Sequence, residues 1–169
     1  MSARVGIGFD AHPFSGGRPL RLGGIEVPGS AGLKGHSDGD ALLHAIADAI
    51  LGAAGLASIG EHFPDSDPSL EGADSGALLA RICDVARRSG FTIGNVDAVV
   101  IAEAPKIASY RDAMRARIAE LLDVPLERVN VRGTSSNGLG FPGRGEGIAA
   151  TAVVLLLPAG SDPPALPLP

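Results

Sequence analysis

The chain has 169 residues, of which 45% are hydrophobic and 20% are charged, and these values suit one globular domain with a sizeable core. A net charge of −5 without a basic cluster argues against nucleic acid or an anionic membrane as the main partner. The single cysteine, Cys83, excludes an internal disulfide and a cysteine-rich zinc module. Neither a secretory leader nor a membrane-spanning run is visible, so we expect a cytoplasmic protein.

Strands and helices alternate along the chain, because β-prone runs alternate with apolar residues at helical spacing. In chain order the predicted elements are strands at Val5–Phe9, Leu20–Leu22 and Ile25–Val27, a helix through Leu42 and Ile50, a helix through Leu78 and Ala86, a strand at Val96–Ala102, a helix through Met114 and Leu122, and strands at Val129–Arg132 and Ile148–Leu157. Gly23-Gly24 predicts a two-residue hairpin turn. Residues 55–76 predict a long loop, a kind that is often functional. We expect one domain over residues 1–158 and a disordered Pro-rich tail over residues 159–169.

Local signals predict where the helices begin and end. Ser37-Asp38-Gly39-Asp40 offers an N-cap and an acidic first turn to the first helix, which Gly52 and Gly55 end. Ser89-Gly90 ends the second helix, and Ser109 is predicted to cap the third.

Asp10, His12 and His44 form a candidate metal site. Residues two apart on a strand point to the same face, and His44 arrives on a helix. Three protein ligands and one open position are typical of catalytic zinc. Asp48 follows His44 on the same helical face, where it either orients the imidazole or faces solvent. Each residue also has a plainer interpretation: a polar strand edge for Asp10 and His12, and a structural histidine for His44.

Other segments are candidates for phosphate binding. His36-Ser37 precedes a helix N-terminus, whose free N–H groups favour anions, although simple capping by Ser37 is the alternative. The glycine-rich stretch Gly133–Gly147 offers backbone N–H groups to a phosphate, or a close crossing of backbones. Lys106 ends a strand and meets either a phosphate or solvent.

These pieces together resemble one family over about residues 4 to 157, with the motifs in the family's order and spacing. The motifs are Gly8-Phe9-Asp10-Ala11-His12, Gly35-His36-Ser37-Asp38-Gly39-Asp40 with His44, Phe63-Pro64-Asp65-Ser66-Asp67-Pro68, Gly72-Ala73-Asp74-Ser75, Gly94-Asn95-Val96-Asp97, Ala104-Pro105-Lys106 and Gly143-Arg144-Gly145-Glu146-Gly147. They look like those of the 2-C-methyl-D-erythritol 2,4-cyclodiphosphate synthases of the non-mevalonate isoprenoid pathway. The resemblance implies an α/β (α+β) fold, a single domain with a mixed β-sheet packed on one side by helices. It also implies a homotrimer around a central axis, with active sites between subunits.

The resemblance also implies a reaction. Family members act on 4-diphosphocytidyl-2-C-methyl-D-erythritol 2-phosphate, whose 2-phosphate attacks the β-phosphorus so that CMP leaves and a cyclic diphosphate forms. This makes the expected activity that of a phosphorus–oxygen lyase, and phosphoryl transfer depends mainly on positioning and charge neutralisation. By resemblance, Asp10, His12 and His44 hold one Zn²⁺ per chain, and a Mg²⁺ or Mn²⁺ accompanies the substrate diphosphate.

Site residues carry over position by position. His36 and Ser135 are the expected catalytic positions, and Ala102 to Ala108 match a cytidine pocket supplied by a neighbouring subunit. Phe141, Arg144 and Glu146 match residues near the axis, where an isoprenoid diphosphate is an expected ligand. The expected substrate-binding residues are Asp10, His12, His36, Ser37, Ser58, Ile59, Gly60, Phe63, Pro64, Asp65, Ser66, Asp67, Ala102, Glu103, Ala104, Pro105, Lys106, Ile107, Ala108, Thr134, Ser135, Ser136, Asn137, Phe141 and Arg144.

Two positions depart from the family pattern. Ser58 stands where the family has an Asp in the pocket for the erythritol part, and Asn137 stands where it has a Glu that helps hold the second metal. A neutral amide is a weaker ligand for hard cations than a carboxylate.

Two other classes of function compete with the synthase. Two histidines and one carboxylate also suit non-haem Fe(II) oxygenases, although these need an all-β barrel context. The altered positions Ser58 and Asn137 suggest a non-catalytic trimeric protein that binds isoprenoid diphosphates.

Overall fold

A computed structural model describes residues 2–161, in which five strands and five helices are arranged along the chain. The elements are β1 Arg4–Leu22, β2 Ile25–Leu33, α1 Ala41–Ala54, α2 Ile59–His62, α3 Ser75–Arg88, β3 Phe91–Ile101, α4 Arg111–Leu122, β4 Val129–Thr134, α5 Gly140–Gly143 and β5 Gly147–Pro158. Short 3₁₀ turns lie at Pro68–Leu70, Ile107–Ser109 and Leu126–Arg128. Within residues 2–161, no helix is long and apolar enough to cross a membrane.

The strands form one mixed sheet in the order β2-β1-β5-β3-β4. β3 and β4 pair in parallel, and the other neighbours pair antiparallel. The hairpin predicted at Gly23-Gly24 is confirmed, because β1 ends and β2 begins on either side of this pair, at φ of 64° and 75°. β1 extends well beyond the predicted Val5–Phe9, since its backbone pairs with β5 as far as Pro13 and with β2 from Phe14 onward.

The helices cover one face of the sheet, and α1 lies directly on β1 and β5. A Cβ atom on Gly6 or Gly8 would overlap backbone atoms of α1, at Ala49 and Ala45 respectively. The two glycines therefore let the helix approach the strand more closely than any other residue would allow. This close approach brings the first turn of α1 next to the middle of β1.

The opposite face of the sheet carries exposed apolar side chains. Val5, Ile7 and Phe9 of β1 are 68%, 73% and 61% exposed, and Val153 of the neighbouring β5 is 44% exposed. Because alternate strand residues point to opposite faces, these side chains form one continuous apolar surface on the side away from the helices. We call Val5, Ile7, Phe9 and Val153 the open sheet face.

The start of α1 is fixed by Asp40, which is fully buried. Its Oδ1 accepts hydrogen bonds from the N–H groups of Leu43, at 3.0 Å, and Gly23, at 2.9 Å, while Oδ2 accepts one from Gly24 N–H at 2.7 Å. One carboxylate thus caps the helix and holds the hairpin. The alternative of simple capping by Ser37 is wrong, and so is the acidic first turn, because the helix begins only at Ala41.

Three further expectations need correction or comment. Ser109 does not cap the third helix, because it lies in a 3₁₀ turn and Tyr110 is the N-cap residue of α4. The predicted loop at 55–76 contains α2 and a 3₁₀ turn. Of the predicted tail, Ala159 donates its N–H to Gly90 O at 2.9 Å, and residues 162–169 lie outside the described residues.

Candidate metal centre and active-site cavity

The predicted cluster of Asp10, His12 and His44 is present in the fold. Oδ2 of Asp10 lies 2.8 Å from Nε2 of His12 and 3.0 Å from Nδ1 of His44, and the two imidazole nitrogens are 3.3 Å apart. β1 supplies the first two side chains, and the first turn of α1 supplies the third. The clustering therefore favours a shared metal site over the plainer interpretations, in which these residues act separately.

The donor set fits a tetrahedral metal ion with one open position. Ligand bonds of 2.0–2.1 Å in a tetrahedron separate neighbouring ligand atoms by about 3.3 Å, close to the spacing of the three atoms here. His12 Nδ1 donates to the backbone oxygen of Lys34 at 2.6 Å, which leaves the lone pair of Nε2 directed at the cluster. Two imidazoles and one carboxylate are a donor set that zinc accepts.

The charges of the cluster reinforce one another. When protonated, His12 donates its Nε2–H to the Asp10 carboxylate, which raises the pKa of His12, and burial of the imidazole only partly opposes this rise. Burial acts to raise the pKa of Asp10, but the two neighbouring histidines outweigh it and hold that pKa well below its usual range. Asp10 is therefore a carboxylate throughout the physiological range, as a metal ligand must be.

The far side of His44 faces hydroxyl groups. Nε2 of His44 lies 2.8 Å from Oγ of Ser75 at the start of α3 and 3.2 Å from Oγ of Ser37. The proposed orientation of His44 by Asp48 is wrong, because Oδ1 of Asp48 accepts the N–H of Ile59 at 2.7 Å instead. Asp48 therefore holds the start of α2, and the sequence did not indicate this contact with Ile59.

A cavity of about 560 Å³ opens beside the metal ligands. Its wall includes Lys34, His36 and Ser37 on one side and Ile59 and Phe63 from the α2 region on the other. The remaining expected substrate-binding residues that line it are Asp10, His12, Gly60 and Asp65. No residue of 102–108 or 134–137 lines this cavity in the single described subunit.

Residues 102–108 and 134–137 form a second cluster of their own. Oε1 of Glu103 accepts hydrogen bonds from Ser136 N–H at 3.0 Å, Gly138 N–H at 3.2 Å and the Ser136 hydroxyl at 3.2 Å. The Gly138 and Ser136 bonds lower the pKa of Glu103. Asn137, at the tip of this turn, adopts a φ of 55°, and its Oδ1 accepts the Ser135 hydroxyl at 3.3 Å. Glu103 thus fixes the turn that carries the expected diphosphate-binding residues.

Phe141 and Arg144 lie at a third place, beside the middle of β1. Phe141 lines a cavity of about 250 Å³ together with Ala11, His12, Pro13 and Glu146. Arg144 makes a two-point ion pair with Glu146, with distances of 2.7 and 3.1 Å.

Comparison with known proteins identifies the family to which these features belong. The model of the YgbB family matches residues 3–157. The chain belongs to the YgbB family. A 2-C-methyl-D-erythritol 2,4-cyclodiphosphate synthase from Halalkalibacterium halodurans is 55% identical over 154 residues, which cover 91% of this chain and 98% of that protein.

Solved structures agree with this YgbB assignment. The bifunctional IspDF from Campylobacter jejuni matches with a TM-score of 0.88 and 45% identity over 91% of this chain and 42% of that chain. The CDP complex of IspF from Plasmodium falciparum matches with a TM-score of 0.82 and 32% identity over 94% of this chain and 98% of that chain. The single α+β domain with a mixed sheet is thereby confirmed.

Membership of the YgbB family decides between the competing functions. The relatives are named as synthases, which supports the enzyme over the non-catalytic binding protein. The Fe(II) oxygenase alternative requires an all-β barrel, whereas this fold is α+β and His44 lies on α1.

Three residues that position the site were not predicted. Arg18 of β1 donates to the backbone oxygens of Gly35 at 3.2 Å and Ser37 at 2.6 Å, which holds the segment that carries His36. Ser75 and Asp38 lie behind His44 and contact each other. Asp38 and Ser75 each belong to a family motif, which was the available signal, but nothing in the sequence distinguishes Arg18 from the other arginines.

Proposed function

We propose that this chain converts 4-diphosphocytidyl-2-C-methyl-D-erythritol 2-phosphate into 2-C-methyl-D-erythritol 2,4-cyclodiphosphate and CMP. The observation that carries the proposal is the cluster of Asp10, His12 and His44 at the wall of a cavity of about 560 Å³, in a fold whose relatives are named for this product. In the reaction, an oxygen of the 2-phosphate bonds to the β-phosphorus. The bond from that phosphorus to the bridging oxygen breaks, and its electron pair leaves with CMP.

The proposed metal is zinc, one ion per chain. When bound by Asp10, His12 and His44, zinc supplies Lewis acidity to a phosphate oxygen. His36, whose Nε2 lies 3.0 Å from the backbone oxygen of Asp67, and Ser37 share the cavity wall with these ligands. We assign them to the phosphate and the erythritol part, with His36 as a catalytic residue that holds the attacking phosphate in line.

The opposite end of the substrate is assigned to the second cluster. Ser135 would fix the diphosphate, and Ala102 to Ala108 would bind the cytidine through backbone groups. A solved relative contains CDP, which supports a cytidine nucleotide as the ligand. Because the neutral oxygen of Asn137 is already engaged by Ser135, the Mg²⁺ or Mn²⁺ would rely mainly on the substrate's phosphates and on water.

We further propose a homotrimer in which each active site is shared by two subunits. The open sheet face supports it, because four apolar side chains exposed by 44% to 73% form a surface that favours burial against other copies. Separation of the metal cavity from residues 102–108 in one subunit also supports it. Phe141 and Arg144 would then lie near the axis, where an isoprenoid diphosphate is the proposed ligand. Cytoplasmic location and the assignment of residues 1–158 to one synthase domain stay predictions.

Phosphorus NMR on the reaction mixture tests the activity. The wild-type protein with authentic substrate should give equal amounts of CMP and the cyclic diphosphate. A protein that binds CDP but leaves the substrate intact contradicts the proposal and favours the binding protein.

Mixing two inactive variants tests the shared site. His44→Ala removes a metal ligand, and Lys106→Ala removes a cation that we assign to a phosphate at the cytidine end of the substrate. Mixed trimers contain some interfaces with both wild-type residues, so mixing the two should restore part of the activity. No recovery after confirmed subunit exchange, or a stable monomer in sedimentation equilibrium at micromolar concentration, contradicts the shared-site trimer.

A further inference from the structure

The hydrogen bonds behind His44 have a direction that can be read from their partners. Ser75 is 1% exposed, and its hydroxyl group donates to Oδ1 of Asp38. The same carboxylate accepts the backbone N–H of Ser75 on Oδ2, at 3.1 Å, and the N–H of Asp40 on Oδ1, at 3.2 Å. A carboxylate only accepts, so the single hydroxyl hydrogen of Ser75 is already committed.

This commitment settles which nitrogen of His44 carries the hydrogen. With its hydrogen given to Asp38, Oγ of Ser75 can only accept from Nε2 of His44, 2.8 Å away. Ser37 Oγ, at 3.2 Å from the same nitrogen, accepts the N–H of Gly39 at 3.4 Å and is able to accept from Nε2 as well. A neutral imidazole protonated on Nε2 has its lone pair on Nδ1, the atom that faces Asp10 and His12.

The Asp10 carboxylate favours the opposite tautomer of His44, with the hydrogen on Nδ1. Oδ2 of Asp10 lies 3.0 Å from Nδ1 of His44 and is a strong acceptor, so without a competing partner the hydrogen would move to Nδ1. A hydrogen on Nδ1 blocks the atom that must bind the metal.

We propose that Asp38 and Ser75 are positioning residues that keep His44 in its metal-binding tautomer. We call the Asp38–Ser75–His44 series the relay. The relay links three separate parts of the chain, because Asp38 precedes α1, His44 lies on α1 and Ser75 begins α3. Because Ser75 is the first residue of α3, the relay also ties the imidazole of His44 to the start of that helix. This inference rests on the proposed metal-dependent function, but the tautomer it concerns exists without metal.

The test uses the full-length protein with ¹⁵N-labelled histidine. In metal-free wild-type protein, NMR at a pH where His44 is neutral should show the hydrogen on Nε2. In Ser75→Ala, which leaves Nε2 only the longer contact with Ser37 Oγ, the Nδ1 form should increase. Asp38→Asn should reduce the Nε2 form as well, because either orientation of the amide places an N–H₂ group against a donor. Affinity for Zn²⁺, measured by chelator competition, should fall 10–100-fold in both variants, and the visible spectrum of bound Co²⁺ should change.

Asp74→Asn is the matched control. Asp74 adjoins Ser75, caps α3 through Ala77 N–H at 2.8 Å and loses the same charge, but it has no contact with His44. In Asp74→Asn, the tautomer of His44 should be that of the wild type, and the Zn²⁺ affinity should stay within two-fold of the wild-type value.

Four outcomes contradict the relay in whole or in part. An Nδ1 tautomer in the wild type does so directly, whatever the metal content. So does an unchanged tautomer and affinity in folded Ser75→Ala. A loss in Ser75→Ala without a loss in Asp38→Asn removes Asp38 from the account, and an equal loss in Asp74→Asn shows a general effect at the start of α3. Wild-type protein that binds no metal but keeps the Nε2 tautomer contradicts the proposed function and leaves the relay standing.

Discussion

Replacement of Gly8 by alanine should damage both the fold and the metal centre. The new Cβ would overlap the backbone oxygen of Ala45 and lie 2.6 Å from Ala49 N, where ordinary contacts are about 3.5 Å. Both atoms belong to the backbone of α1, so no side chain can rotate away. The helix must move by roughly 1 Å, and overpacking of this kind costs about 3 kcal/mol in the free energy of unfolding.

The same movement reaches the metal ligands. His44 lies on α1, one residue before Ala45, while Asp10 and His12 lie on β1, just after Gly8. A shift of roughly 1 Å between the two elements spoils the ligand spacing, since the distances of 2.8 to 3.3 Å leave little tolerance. Gly8→Ala should therefore lose metal affinity even at temperatures where it remains folded.

Urea unfolding and chelator competition measure the two effects, and Gly52→Ala is the control. A Cβ on Gly52, also on α1, meets only Ile7 O at 3.7 Å, so that variant should gain about 0.5–1 kcal/mol from lower backbone entropy. If Gly8→Ala unfolds within 1 kcal/mol of the wild type and binds metal normally, the close packing of α1 on β1 does not set the site.

Three further predictions concern the titrating groups and the substrate contacts. In metal-free protein, the raised pKa of His12 stabilises the fold at pH values below 6.5, its ordinary pKa, and this stability is lost as the pH rises through the higher pKa of the folded state. The lowered pKa of Asp10 stabilises the fold at pH values above 3.8, its ordinary pKa, and this stability is lost as the pH falls. Urea midpoints of metal-free protein should therefore decrease from pH 6 to 8, and a rise would contradict the ion pairs. Glu103→Gln should raise KM several-fold with a smaller change in kcat, because an amide accepts the three turn donors less strongly than a carboxylate; an unchanged KM refutes the assigned role of the turn. Asn137→Glu should lower the Mg²⁺ concentration needed for activity, although the φ of 55° at this position disfavours glutamate by about 1 kcal/mol. Ser58→Asp should lower KM, because a charged acceptor makes a stronger hydrogen bond to the substrate. If neither substitution changes the kinetics, neither position belongs to the site.

The common face of Asp10 and His12 and the helix that carries His44 were predictable from local geometry, whereas the meeting of the three ligands depends on the packing of α1 on β1 and was implied by the family resemblance. Asp10 and His12 face one side through strand alternation, and His44 follows a recognisable helix start. The hairpin was predictable for the same reason, since Gly23-Gly24 satisfies the turn by itself.

The partners of these residues were not predictable, because they depend on tertiary packing. Asp48 shares a helical face with His44, yet its carboxylate turns to Ile59 N–H, while Ser75 reaches His44 from the start of α3. Ser109 resembles a helix cap but is used in the preceding turn, so the helix starts without a side-chain cap at Tyr110. For Asp48 and His44, a long-range contact replaced the local partner that spacing suggested.

A zinc titration of metal-free protein, followed by CMP release from authentic substrate, tests the central claim most directly. Activity should be absent without metal, rise in proportion to bound zinc and saturate at one ion per chain. His44→Ala should stay folded, bind little zinc and release no CMP. Full CMP release without metal, or full zinc occupancy in His44→Ala, would contradict the assignment of Asp10, His12 and His44 as the catalytic metal centre.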